Sequence, residues 1–257
     1  VILAAGFVGV SFGGSMWAST MNIEVGYHEA ATRRALQFRF HAFYSIGTVL
    51  GALIAAAVIR AGVATQVHLW VIAGLILATV WGASFVFLPR SFADHYTAEA
   101  QRAGIDTKGR TRRAWRERRT ILIAFMVLGG GLLEGSANDW LTLSMVDGYG
   151  LDQAHASMAM SLFLATMASM RLLSALLLRR FAVEHLLRVL LSGAVVGLLL
   201  VAFSPSTPLA LGGIVLWAAG AALVFPAGTS ALSTDPTMTA ARISVLATIN
   251  YGSAPVG

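Results

Sequence analysis

Of the 257 residues, 57% are hydrophobic and only 12% are charged, and the mean hydropathy is +0.74. That balance excludes an ordinary soluble domain, where about a quarter of residues are charged. The net charge of +6 points to loops beside a bilayer and to anionic headgroups rather than to nucleic acid, and the lack of cysteine excludes disulfides, thiolate metal sites and a cysteine nucleophile from this chain.

Eight apolar stretches follow one another, at about 1–23, 40–59, 66–88, 120–146, 154–178, 186–203, 208–233 and from 243 to the end. About 20 helical residues cross a hydrocarbon core of about 30 Å, so the pattern predicts an all-α, polytopic membrane protein. The connections 24–39, 90–119, 179–188 and 234–242 hold 16 of the 18 Lys and Arg residues; the remaining two are Arg60 and Arg171. Basic loops stay on the cytoplasmic face. The expected topology therefore puts 90–119 inside, puts 60–65, 147–153 and 204–207 outside, and places the protein as a multi-pass component of the cell's inner (plasma) membrane.

The first stretch begins within apolar sequence, without an initiator Met or a basic leader, and the last is only about 15 residues long. An interior portion of a longer protein is the expectation. In the first stretch Trp17 and Asn22 are the candidate solute contacts, and Glu24, Tyr27, His28 and Glu29 beyond it read as a solvated loop. In the second, His41, Tyr44 and Ser45 share a helical face. Gly47 and Gly51 repeat at four-residue spacing, as small residues do where helices approach closely in lipid.

The segment 90–119 follows Pro89 and carries nine basic residues. It reads as a cytoplasmic loop joining a bundle in 1–89 to another in 120–257, with short amphipathic helices at Ala98–Ala103 and Thr111–Arg119. In the fourth stretch Gly131, Glu134, Gly135, Asn138 and Thr142 fall on one α-helical face. Ionisable groups within a span are costly, roughly 2.5–3.5 kcal/mol each, so Glu134 calls for a purpose. With small and polar neighbours and no basic residue on its face, it is the candidate proton carrier, because desolvation penalises its charged form. Asp139 lies nearer the outer interface, with Trp140 as an anchor. Arg171 is expected about 10 Å from the cytoplasmic end of its span, where its side chain reaches the headgroups; it is also a candidate gating residue. Gly131 with Gly135, and Gly193 with Gly197, are further expected packing pairs, and Asn250 and Tyr251 lie within the last stretch.

Nothing here argues for an enzyme. The histidines have neither H-E-x-x-H nor other paired-ligand spacing, and no G-x-x-x-x-G-K phosphate loop occurs. No metal or cofactor is expected, and secondary rather than ATP-driven transport is the expectation.

Several short motifs resemble the major facilitator superfamily, in a bacterial branch near the fucose-permease-like transporters. Met21-Asn22, Glu29, Arg34, Phe40-His41-Ala42, Ser45 and Gly47 look like that branch's fourth and fifth helices. Glu134-Gly135 and Asp139-Trp140 look like its seventh, Arg171-Leu172-Leu173 with Arg180-Phe181 like the end of its eighth, and Phe225-Pro226 like its tenth. The resemblance implies helices four to eleven of twelve, and alternating access around a midplane site. A small polar solute such as a sugar is the expected cargo, with a proton coupled through Glu134. The family's signature loop is altered here: Ser174 and Ala175 stand where glycine and an acid are expected, and Glu184-His185 replaces a basic pair. That change is what favours the alternative, a membrane sensor or scaffold that keeps the fold without transporting.

Overall fold

The computed structural model describes residues 2–85 and 107–252. Eleven α-helices run through these residues. α1 is Ile2–Thr32, α2 Leu36–Arg60, α3 Thr65–Ser84 and α4 Thr107–Arg116. α5 is Arg118–Ser136; it passes through a π-helical turn at Ala137–Leu141 into α6, Thr142–Tyr149. α7 (Gln153–Leu177) and α8 (Val183–Phe203) come next, then α9 (Thr207–Ala222), α10 (Val224–Leu232) and α11 (Pro236–Gly252). Among the described residues, six helical stretches are long and apolar enough to cross a membrane: Leu36–Ala55, Thr65–Ser84, Arg118–Tyr149, Gln153–Leu177, Val183–Phe203 and Thr207–Leu232. The chain is an all-α polytopic protein; most expected stretches match a helix to within a few residues, but α1 runs on to Thr32 and α11 begins at Pro236. The expected amphipathic helix at 98–103 lies outside the described residues. The one expected at 111–119 is replaced by α4, which ends at Arg116 and gives way to α5 two residues later.

The main core lies between the fifth and ninth helices. Ala137, Leu141, Met145, Phe163, Ile214 and Trp217 are buried there, with Phe38 of α2 reaching in from the other side. α8 and α9 pack through glycines. A Cβ on Gly213 would stand 2.8 Å from Leu200 Cβ, and one on Gly220 would stand 2.6 Å from the Leu190 carbonyl oxygen. Lipid offers no hydrophobic reason for helices to associate, so this close backbone approach supplies the dispersion energy instead.

Gly131 and Gly197 do meet neighbours, Asn250 and the backbone around Gly213 respectively. Gly47, Gly51 and Gly135 do not: among the described residues nothing lies within 4 Å of where their Cβ would be. The packing role expected of those three rests on their spacing alone. Four-residue spacing is compatible with a packing face, but does not say which faces find a partner.

Three basic connections gather at one end of the bundle. The bend after α1 faces the α10–α11 connection across a shared pocket. Arg110 of α4 donates to the Thr237 carbonyl, and Arg119 of α5 to the Ala231 carbonyl. Ala114 packs on Met238, Ala241 and Val245. α1 and α2 are buried only toward this basic end, at Asn22, Val25, Gly26, Tyr27 and Glu29 in α1 and at Gln37, Phe38, Ala42 and Ser45 in α2. Toward the opposite end their described side chains are largely exposed. Tyr27 and Glu29 are thus not in a solvated loop: α1 continues through them, and both are about 7% exposed. Burial raises the pKa of each, with the backbone N–H of Gln37 and the Ser230 hydroxyl partly offsetting the effect at Glu29.

Candidate functional site

The site is organised by a proline. Pro226 in α10 has no N–H to give, so the carbonyl four residues earlier, on Ala222, loses its helical partner. The helix breaks there, at Leu223 between α9 and α10. Arg171 of α7 supplies the missing donor: its Nε lies 3.1 Å from the Ala222 oxygen. Nη1 donates to Ser45 Oγ at 3.1 Å, and Nη2 to Glu134 Oε2, also at 3.1 Å. Ser45 Oγ in turn donates to the His41 carbonyl. One guanidinium thus ties α7 to α2, α5 and the break after α9.

Two sequence expectations are corrected by this geometry. Arg171 does not reach toward the headgroups; its side chain is 7% exposed and turned into the bundle. Glu134 does have a basic partner, on α7 rather than on its own helix. A buried guanidinium without a counter-charge would be very costly. The carboxylate and two hydrogen-bond acceptors are what make the position tolerable for Arg171.

The carboxylate of Glu134 is 37% exposed and opens on a cavity of about 460 Å³. Tyr44, Ser45 and Thr48 of α2 form one wall, Glu134 and Asn138 another, and Ser161 and Arg171 of α7 a third. Apolar residues, Leu53, Leu164 and Met167 among them, form the rest of the lining. Charge, amide and hydroxyls therefore face one another across a partly apolar space, as in sites for small polar molecules.

The π-helical turn begins three residues after Glu134. Such turns insert a residue into a helix and shift the register of the residues beyond it. Thr142, beyond the turn, accordingly leaves the face, while Glu134 and Asn138 line the cavity; before the turn, Gly131 faces Asn250 and Gly135 is not part of the wall. Asp139 and Trp140 are exposed and away from the cavity. The indole of Trp217 donates to the Leu133 carbonyl at 3.1 Å, just before the turn. It stacks edge-on against Phe163 with ring centroids 5.4 Å apart.

Nearer the basic end the first-half candidates divide. Asn22 is buried; its amide nitrogen donates to Ala18 O, and its Oδ1 is 3.3 Å from His41 Nε2. The His41 ring also packs on Phe225, with centroids 5.2 Å apart. Trp17 is 47% exposed and outside the cavity wall. Gln37, which sequence reasoning passed over, is fully buried. It links Glu29 to Asn22 through its backbone N–H at 2.9 Å and its side-chain amide at 2.8 Å. The signal for it was available, since an amide at the mouth of an apolar stretch needs partners.

Catalytic and metal readings gain nothing from the structure. Among the described residues no three His, Asp or Glu side chains group as metal ligands. Gly9-Val10-Ser11-Phe12-Gly13 has the spacing of a hydrolase nucleophile elbow, but it lies inside the continuous α1. That motif acts from a sharp strand-to-helix turn.

A protein from Sinorhizobium fredii (strain NBRC 101917 / NGR234), described as the uncharacterized transporter y4wD, is 27% identical over 243 residues. The match covers 94% of this chain and 59% of that relative, so the chain spans well under two thirds of the relative's length. No solved structure matches the chain. The family model for the Major Facilitator Superfamily matches residues 1–257. Together with the apolar helices, the match shows that this chain is a multi-pass membrane protein belonging to the Major Facilitator Superfamily.

Proposed function

We propose that the protein moves a small polar solute through the Glu134–Arg171 cavity by alternating access, with Glu134 exchanging the coupling proton. The observation that carries this reading is the Arg171–Glu134 pair on the wall of a cavity shared by α2, α5 and α7. α2 belongs to the first of two bundles, 1–89, and α5 and α7 to the second, 120–257. Their contact through Arg171 and Ser45 fits a state in which the two bundles meet toward the cytoplasmic end. The cavity suits an uncharged solute rich in hydroxyls, because one cation and one anion on its wall offset each other.

Coupling follows from the pair. Protonating Glu134 withdraws the counter-charge of Arg171, and breaking a buried pair costs up to about 3–5 kcal/mol, less here because Glu134 is over a third exposed. Arg171 must then find other acceptors, on the solute or in a rearranged cavity. Solute binding and proton uptake thereby become linked. A sensor or scaffold has no need of a charged pair on the wall of an open cavity and could fill the space with apolar side chains.

The test is uptake into proteoliposomes of the full-length protein, with and without a pH gradient, for wild type and Glu134→Gln. The variant keeps size and hydrogen bonding but is always neutral. Gradient-driven accumulation should disappear while solute exchange survives. Normal accumulation by the variant would remove Glu134 from coupling, and absence of any solute movement by wild type across a broad solute panel would favour the scaffold.

A further inference from the structure

A second pocket, of about 600 Å³, lies at the basic end and shares no lining residue with the cavity. Glu29, Arg33 and Arg34 line one side, and Ser230, Ser233 and Thr234 the other. Its walls thus come from the α1–α2 connection and the α10–α11 connection. Arg33 has φ 51°, and its N–H closes α1 by donating to the Glu29 carbonyl at 2.8 Å. This is the left-handed position just past a helix end, where glycine is favoured because a Cβ crowds the backbone. Among the described residues Arg33 is the sole non-glycine with positive φ. The backbone argues for glycine, so the guanidinium needs another reason to be there.

Neither Arg33 nor Arg34 has a side-chain hydrogen bond or ion pair among the described residues. The one carboxylate in the wall, Glu29, is already engaged by the Gln37 backbone N–H at 2.9 Å and by Ser230. The Ser233 hydroxyl donates to the Thr229 carbonyl. Thr234 is exposed, and its hydroxyl donates to no described residue. What remains is two adjacent guanidinium forks facing a hydroxyl donor across an open pocket. Arginine forks match the paired oxygens of a phosphate group, and the pocket has room for more than the phosphate itself.

We propose that this pocket binds a phosphate group, held by Arg33 and Arg34 on one connection and Thr234 on the other, so that the ligand bridges the two halves at the basic end. A phospholipid headgroup and a soluble phosphate share this chemistry. The site is independent of the transport reading.

The experiment uses the full-length protein, as wild type and as the double variant Arg33→Gly, Arg34→Gln. Glycine suits the left-handed position, so the variant keeps the fold. Thermal melting is followed in detergent against inorganic phosphate, at ionic strength held constant with chloride. It is followed separately in nanodiscs of phosphatidylcholine with or without phosphatidic acid. Wild type should show a saturable rise in melting temperature, and the double variant should need roughly tenfold more ligand or more, as expected for lost charge-assisted hydrogen bonds. A rise with phosphate in detergent identifies a soluble phosphate as sufficient; a rise only with phosphatidic acid identifies the headgroup. No rise in wild type, or the same rise in the double variant, overturns the proposal.

Discussion

The contact between α8 and α9 and the contact between α2 and α7 are built on opposite principles. The first is dry: Gly197, Gly213 and Gly220 let two backbones touch, and among the described residues no side-chain hydrogen bond between the two helices is part of it. The second is held by one arginine that reaches Ser45, Glu134 and the Ala222 carbonyl beside a cavity. Close packing of backbone on backbone has one good arrangement and loses its energy steeply with separation. Polar contacts can exchange one acceptor for another, or for a solute or water. The fixed interface joins two consecutive helices, and the exchangeable one joins helices far apart in the chain, α2 and α7.

The largest expected effect comes from breaking the dry interface. A Cβ at Gly197 would collide with the Gly213 carbonyl and stand 2.6 Å from the Trp217 nitrogen, both backbone atoms that cannot swing aside. Gly197→Leu should therefore cost about 3 kcal/mol, at the upper end of overpacking effects. Melting temperature and membrane abundance should both fall. A variant as stable as wild type would mean that α8 and α9 do not touch at this point.

Next in size is the polar junction. Arg171→Gln removes the partner of Glu134 and the donor for Ala222 O together, and Glu134→Gln leaves the buried guanidinium without its counter-charge, so both should lower the melting temperature. Pro226→Ala supplies a backbone N–H for Ala222 O. On the Arg171→Gln background this change should recover about 1 kcal/mol, the ordinary worth of a hydrogen bond, and on wild type it should recover less. Equal effects on the two backgrounds would separate the proline from the arginine.

Helices were legible because apolar runs of span length, broken by basic loops, leave little choice: the α7 stretch, expected over 154–178, is Gln153–Leu177. Glu134 and Arg171 were each conspicuous as charges within apolar sequence. Their pairing was not, because spacing along one helix says nothing about what a neighbouring helix presents. Two clues lay in the sequence unread. Pro226 implies a carbonyl in want of a donor at Ala222. Arg171 on the inner face of its helix has several acceptors to choose from, so its distance from the headgroups does not fix its direction. The π-helical turn at 137–141 defeated the face drawn through Asn138 and Thr142, since α-helical spacing fails wherever a residue is inserted. The two halves assigned as 1–89 and 120–257 remain a proposal of the charge pattern and loop length.

A smaller effect is expected at the basic end. Arg242 Nε and Nη2 donate to both carboxylate oxygens of Glu117, at 2.7 and 2.8 Å, and the Thr120 hydroxyl adds a third bond. The Arg242 hydrogen bonds are the main reason that the Glu117 carboxyl is held at about 2; burial opposes them and Thr120 assists. Because the folded pKa is lowered, the stabilisation is present above the unfolded value of about 4.3 and is lost as pH falls toward about 2. Glu117 is 27% exposed, so solvent screening leaves about 1 kcal/mol. The melting-temperature gap between wild type and Arg242→Gln should be constant from neutral pH to about 4.5, then close. A gap that persists at pH 2 would assign the loss to packing instead of to the pair.

The smallest effect is expected where sequence spacing and structure disagree most directly. Gly131 and Gly135 are four residues apart on α5, and by spacing alone they form one packing face. A Cβ on Gly131 would stand 2.7 Å from Asn250 Oδ1, the far end of a side chain that can move, whereas one on Gly135 meets nothing within 4 Å. Gly131→Ala should then cost a little stability, as Asn250 shifts and its own contacts adjust. Gly135→Ala should cost none, and it should gain up to about 0.8–1 kcal/mol from the better helix propensity of alanine. The π-helical turn starting at Ala137 limits that gain, because the last turn of α5 is already departing from α-helical geometry. Opposite signs for the two substitutions in matched melting experiments would show that the helix has one packed glycine and one open one. Equal losses would restore the continuous face and place a helix or another chain against Gly135.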